Sequence, residues 1–223
     1  MSIPVIAIDG PSASGKGTIA KRAAKVLGFH YLESGAFYRL VALASLRRGV
    51  SAQDEARVAQ LAGGLAASFA GDRVFYEDQD VTDELGSEAC GNRASEIARL
   101  PRVRAALLAR QHAFRQPPGL VADGRDMGSV VFPDAPLKVF LTASLAVRAE
   151  RRYKQLKEKG IPASMVTLSR DLEERDARDA NRATSPLVAA SDAVQLDSSE
   201  LSIDHVVELV VGWWRGRASR ESG

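Results

Sequence analysis

Val5-Ile6-Ala7-Ile8-Asp9-Gly10-Pro11-Ser12-Ala13-Ser14-Gly15-Lys16-Gly17-Thr18 opens on four apolar residues, passes through a glycine-punctuated turn and enters a helical pattern. It reads as strand, anion cradle and helix. Gly10 and Gly15 let the backbone wrap closely, so successive N–H groups point inward and the next helix adds the positive end of its dipole. Lys16 brings the one mobile positive charge. The spacing is that of the phosphate-binding signature G-x-x-x-x-G-K, with Gly17 where Ser or Thr is expected and Thr18 one place later. A plain corner rich in Gly and Ser is the alternative reading, but such a corner does not require lysine at that position.

The 223 residues suffice for one domain carrying insertions. A hydrophobic share of 45% with 26% charged residues is that of a globular protein, and no apolar run is long enough to cross a bilayer. Met1-Ser2-Ile3-Pro4 has no basic region and the apolar stretch breaks at Asp9-Gly10, so no secretory signal and a cytoplasmic location are expected. Cys90 is the only cysteine and forms no internal disulfide, and no Cys or His cluster has zinc spacing, so no metal ligands are expected. A net charge of +2 gives no argument for a nucleic-acid partner. Of the 30 Lys and Arg residues all but seven are arginine, whose planar fork suits phosphate and carboxylate. Coding bias accounts equally well for most of those on the surface.

After the cradle, Ile19, Ala20, Ala23, Val26 and Leu27 share one helical face, and Gly28 ends that helix. Phe29 to Leu32 reads as a strand, and Ser34 as the cap of a helix from Ala36 to Arg48 that Gly49 closes. Ser34, Tyr38 and Arg39 could converge on a second anion; taken alone, a capped helix with one core aromatic and one solvated arginine is the simpler reading. An alanine-rich helical pattern from Ser51 to about Phe69, a strand at Arg73 to Tyr76 and an acidic turn follow, smaller pieces that look like an insertion. A polar helix from Gly86 to Leu100 carries Ser95, and Pro101 opens another in which Arg104 lies off the apolar stripe.

Leu120 to Asp123 is a buried strand with Arg125 and Asp126 just beyond its C-terminal end, where open parallel sheets bind ligands; a plain turn is the alternative. Lys138 to Leu141 is a further strand. Ser144 caps a helix towards Gly160 on which Arg148, Arg151 and Arg152 share a face, and Ser164 caps one through Arg182 that presents Arg175, Asp179 and Arg182 in a row. For both helices a salt-bridged surface is the competing reading. Ala193 to Leu196 reads as the last strand, Ile203 to Trp214 as a closing amphipathic helix, and the tail from Arg215 is expected to fray.

Strands alternating with helices behind a phosphate loop predict a three-layer α/β fold with a parallel sheet of P-loop type. The chain lacks the Asn-Lys-x-Asp of a GTPase, and Gly124 stands where an ATPase motor carries an acid. A small-molecule kinase whose acceptor is itself a phosphate fits what remains. The motifs Gly10-Pro-Ser-Ala-Ser-Gly-Lys-Gly-Thr18, Ser34-Gly-Ala-Phe-Tyr-Arg39, Ala122-Asp-Gly-Arg-Asp-Met-Gly128 and Glu174-Arg-Asp-Ala-Arg-Asp-Ala-Asn-Arg182 together resemble those of bacterial cytidylate kinases, in colinear order from the first strand to about Ile203.

The resemblance implies a P-loop kinase fold in one domain, with core segments 1-40, 101-147 and 183-223, an inserted monophosphate-binding region at about 41-100 and a short helical lid at about 148-182. It implies phosphorylation of CMP and dCMP by ATP, with magnesium carried by the nucleotide, a monomeric protein, and no membrane partner. ATP would lie on Gly10, Pro11, Ser12, Ala13, Ser14, Gly15, Lys16, Gly17 and Thr18. Ser34, Tyr38, Arg39 and Arg125 would hold the acceptor phosphate; Ser95, Arg104 and Asp126 would read cytosine; Arg175 and Asp179 would contact the ribose. Lys16, Arg39, Arg125, Arg148, Arg152 and Arg182 would screen the transferring group. Other P-loop kinases of uridylate, adenylate or shikimate type, and a protein that binds ATP without turnover, remain alternatives at this point.

Overall fold

Residues 3–221 are described by the computed structural model. In chain order the elements are β1 (Val5–Asp9), α1 (Lys16–Leu27), β2 (His30–Glu33), α2 (Ser34–Arg47), α3 (Glu55–Gly63), β3 (Ala67–Ala70), β4 (Arg73–Tyr76) and β5 (Gln79–Asp80). There follow α4 (Thr82–Leu85), α5 (Glu88–Ile97), α6 (Pro101–His112), β6 (Leu120–Gly124), a π-turn (Met127–Val131) and β7 (Leu137–Thr142). The chain closes with α7 (Leu145–Glu158), α8 (Met165–Ala180), β8 (Val194–Asp197) and α9 (Ile203–Glu221). Two compact units divide it: one runs to Leu32 and resumes at His112, the other is Glu33–Gln111.

The first unit is built on a five-stranded sheet in the order β2-β6-β1-β7-β8. β1 is parallel to both β6 and β7, and β7 is parallel to β8. Because β1 and β6 are covered on both faces, every one of their residues is buried, which explains their near-continuous apolar sequence. The register sets Asp9 beside Gly124 and Phe140, so the ends of three neighbouring strands release the phosphate loop, Arg125 and the Ser144 turn at one edge. Helices flank this mostly parallel sheet. Ile6, Ile8, Val121, Val139 and Leu141 pack with Ile19, Ala20 and Ala23 of α1 and Val206, Val210 and Val211 of α9. Each such aliphatic side chain contributes on the order of 1.5–3 kcal/mol on burial. Trp214 closes the cluster edge-on to Phe29, ring centroids 5.6 Å apart.

The second unit packs the apolar face of α2 with α5 and carries a small antiparallel sheet in the order β3-β4-β5. Three expectations change. Ser34 is not a cap but the first residue of α2; Glu33 takes the cap position and no side chain caps the helix. The alanine-rich pattern does not run as a helix to Phe69: Gly63 and Gly64 end α3, and Ala67–Ala70 pairs with Arg73–Tyr76 as a strand. The tail does not fray at Arg215, since α9 continues to Glu221 and the Arg217 guanidinium donates to the Pro136 carbonyl. Ser222 and Gly223 of that tail lie outside the described residues.

Gly10 leaves β1 at φ 155°, and a Cβ there would stand 2.1 Å from the Leu141 carbonyl oxygen. That oxygen belongs to a central strand and cannot step aside. We predict that Gly10→Ala lowers the free energy of unfolding by about 3 kcal/mol in chemical denaturation, the upper range for overpacking.

Candidate active site

The phosphate loop is shaped by three left-handed or near left-handed residues, Gly10 (φ 155°), Ala13 (φ 60°) and Gly15 (φ 92°). Gly15 holds the N-cap position of α1, and no side chain caps the helix there. The first N–H groups of α1 are thus not taken up by a capping side chain and face the loop as an anion site. Lys16 is mostly buried, and its ammonium donates to the Pro11 carbonyl across the loop at 3.0 Å. At Gly17 a Cβ would meet Tyr31 Oη at 3.6 Å and Asp123 Oδ1 at 3.9 Å, ordinary contacts, so space alone does not demand glycine there. Asp123 accepts the Tyr31 hydroxyl at 2.8 Å.

Arginines brace this loop. Arg148 of α7 is buried, donating from Nε to the Ala143 carbonyl at 3.0 Å and from Nη1 to the Ser12 carbonyl at 3.3 Å, with Asp176 of α8 2.6 Å from Nη2. Arg125, just past β6, donates from Nη2 to Ser12 Oγ at 2.7 Å and from Nε to Asp179 Oδ2 at 2.8 Å. Asp179 also accepts from Nη2 of Arg182 through its other oxygen. Burial alone would raise the Asp179 carboxyl, but the charges of Arg125 and Arg182, with Arg175 adding its field, hold it below the usual carboxylate range. One buried anion therefore anchors two guanidiniums, and one of these also binds the phosphate loop. Arg152 donates to Gln155 Oε1 at 2.6 Å on the same helix.

Two residues of this cluster are absent from the sequence-based set. Arg151 donates to the Ser14 carbonyl at 2.9 Å and to the Ser198 carbonyl at 2.6 Å, tying the phosphate loop to the turn after β8; burial lowers its pKa. Its position three residues beyond Arg148 was the available signal. Asp9 ends an otherwise apolar strand, which was its only mark. Its carboxylate accepts the Met127 N–H on Oδ1 and the Gly128 N–H on Oδ2, both at 2.8 Å. Desolvation raises its pKa to about 6, against the lowering by those two amides; Asp126 adds to the rise and Lys16 opposes it. Asp126 is itself buried, one residue before the amides that Asp9 holds.

The remaining residues lie on the second unit. Ser34 and Tyr38 are buried on α2, and the Arg39 guanidinium donates to the carbonyls of Leu85 and Ser87. Arg104 of α6 donates to the Ala98 carbonyl at 3.2 Å, and its Cζ lies 5.8 Å from the Tyr38 ring centroid, within cation–π range. Ser95 is buried on α5. Among the described residues no helix is long and apolar enough to cross a membrane.

A phosphate loop at the C-terminal edge of a mostly parallel sheet, crossed by buried guanidiniums, defines an α/β phosphotransferase of P-loop type. Comparison with known proteins narrows this class. The cytidylate kinase family model matches residues 6–215. Curated relatives include a cytidylate kinase of Bordetella bronchiseptica, 60% identical over 95% of each chain. That of Polynucleobacter asymbioticus is 56% identical over 96% of this chain and 97% of its own. The chain belongs to the cytidylate kinase family.

Two outcomes follow from the charges. Asp179→Ala would leave the buried Arg182 and the half-buried Arg125 without their shared counter-ion, costing about 3–5 kcal/mol in chemical denaturation. Asp9 has the opposite sign. Its raised pKa favours the folded state at low pH, and that stability is lost as the pH rises from 3.8 through about 6. Relative to wild type, Asp9→Asn should therefore gain about 2 kcal/mol between roughly pH 4.5 and 7.5, with no further change above, in paired denaturation curves.

Proposed function

We propose that the protein transfers the γ-phosphoryl group of ATP to CMP, and to dCMP, giving ADP with CDP or dCDP in pyrimidine nucleotide metabolism, as a cytoplasmic monomer. Family membership supports the reaction, and one structural observation favours an acceptor that is itself a phosphate. Arg125, half-buried, and Arg182, buried, both pair with the buried Asp179, and Arg125 also donates to Ser12 of the phosphate loop. Cations held beside a triphosphate loop suit a second anion, whereas a neutral acceptor has no need of them.

The donor would occupy Gly10 to Thr18, with Lys16 moving from the Pro11 carbonyl to the transferring phosphate. Magnesium enters as part of the ATP substrate, held by phosphate oxygens and water, and reduces the charge on the transferring group. Ser34, Tyr38, Arg39 and Arg125 are proposed to hold the acceptor phosphate, and an inserted region at about 41-100, which carries Ser95, is proposed to serve monophosphate binding. Ser95, Arg104 and Asp126 would read cytosine. A carboxylate accepts from the exocyclic amine of cytosine and repels the carbonyl that uracil presents at the same place. Arg175 and Asp179 would contact the ribose, Asp179 accepting from its hydroxyls.

No general base is required. The attacking oxygen belongs to a phosphate monoester whose second pKa is about 6, so it is largely ionised at neutral pH. The barrier is repulsion between two anions, which Lys16, Arg39, Arg125, Arg148, Arg152 and Arg182 would offset in a loose, in-line transition state. Closure of the helical segment at about 148-182 would keep water from consuming ATP.

ADP release measured across CMP, dCMP, UMP, AMP and GMP tests this reading. CMP should exceed UMP, AMP and GMP by at least about tenfold in kcat/KM, and Asp126→Asn should erode the preference over UMP before it harms transfer. Equal rates with CMP, AMP and GMP would overturn it.

A further inference from the structure

Asp9 is a buried carboxylate that the proposed reaction does not use. It is the last residue of β1, next to Gly10, and it lies beside Gly124 in the β1–β6 register. Both of its oxygens accept consecutive backbone amides, Met127 and Gly128, at 2.8 Å. Those amides open the π-turn that directly follows Arg125 and Asp126. Two N–H groups aimed at two carboxylate oxygens are charge-assisted donors to the anion and favour it against the burial that raises its pKa. The turn is confined on its other side as well. A Cβ on Gly128 would come within 3.1 Å of the Lys138 stem, whose ammonium pairs with Asp192 at 2.9 Å.

We propose that Asp9 is a positioning residue for acceptor recognition: its carboxylate ties the root of the phosphate loop to the turn behind Arg125 and Asp126, and touches neither nucleotide. The inference rests on the proposed role of Asp126 in reading the acceptor base. It makes base selectivity depend on a residue on the donor side of the site. The charged groups facing Asp9 are Asp126, which opposes its ionisation, and Lys16, which favours it. Acid conditions protonate Asp9 and weaken its hold on the turn.

Asp9→Asn keeps the shape but turns an N–H donor towards one of the two amides. Its CMP KM should rise about tenfold and its preference for CMP over UMP should fall, with the ATP KM within about twofold of wild type. As the pH falls through about 6 the wild-type CMP KM should rise more steeply than that of the variant, in which only the CMP phosphate itself titrates there. The proposal is overturned if CMP KM and selectivity are unchanged in Asp9→Asn, or if ATP KM rises as much as CMP KM. Amide NMR of the wild-type protein needs no variant: the Met127 and Gly128 N–H signals should shift together with a midpoint near pH 6, and their failure to titrate would equally overturn it. Wild-type protein that transfers no phosphoryl group to CMP would instead refute the functional reading, with the amide titration still reporting on the tie itself.

Discussion

The site depends on one buried carboxylate, Asp179, whose two oxygens hold Arg125 and Arg182. Burying three ionised groups is costly unless their geometry and remaining hydrogen bonds are satisfied. Arg125 meets this by adding Ser12 Oγ and the Gly124 carbonyl, so the ion pair becomes a brace between α8, the end of β6 and the phosphate loop. Arg148 repeats the logic with Ser12 and Asp176, and Arg151 with Ser14 and Ser198. Three guanidiniums therefore converge on the loop, and each is also fixed to a second element. A phosphate that enters finds these guanidiniums already gathered at the loop, so much of the cost of ordering long side chains has been met during folding.

This arrangement gives Asp179 two uses. Without ligand it keeps the buried Arg182 and the half-buried Arg125 compensated; in the proposed complex the guanidiniums turn to phosphate and the carboxylate is released to accept from ribose. The exchange replaces one set of charge-assisted hydrogen bonds by another, so it trades partners without stranding a charge. Asp9 works differently. It keeps its amides throughout and acts on recognition through the backbone of the Arg125–Gly128 segment.

Much of the fold was legible because the central strands carry local signals. β1 and β6 are apolar on both faces, α1 ends at Gly28, and Ser144 and Ser164 cap α7 and α8, accepting from Val147 and Thr167 N–H groups. The errors arose where a local signal had two readings. Ala67–Ala70 has helical composition, yet it pairs with Arg73–Tyr76 once Gly63 and Gly64 have ended α3. Arg217 pins a tail that composition alone leaves free. In the site, the glycine-bracketed Arg125-Asp126 and the Arg175-Asp179-Arg182 row could be found from spacing. Spacing placed Arg151 on one face with Arg148, but neither its task nor that of Asp9 could be read: the partners that give them meaning, Ser198 and the Met127 and Gly128 amides, are 47, 118 and 119 residues away in the chain.

In the proposed complex Arg125 leaves Asp179 for the acceptor phosphate, which Ser34, Tyr38 and Arg39 also hold, and Arg182 meets the transferring group. A crystal structure with CMP and a non-hydrolysable ATP analogue tests it most directly. The CMP phosphate should lie on Ser34, Tyr38, Arg39 and Arg125, with Arg182 near the transferring group and the cytosine amine about 3 Å from the Asp126 carboxylate. A CMP phosphate lodged in the Gly10–Gly15 loop, or a cytosine amine directed at any other side chain than Asp126, would contradict it.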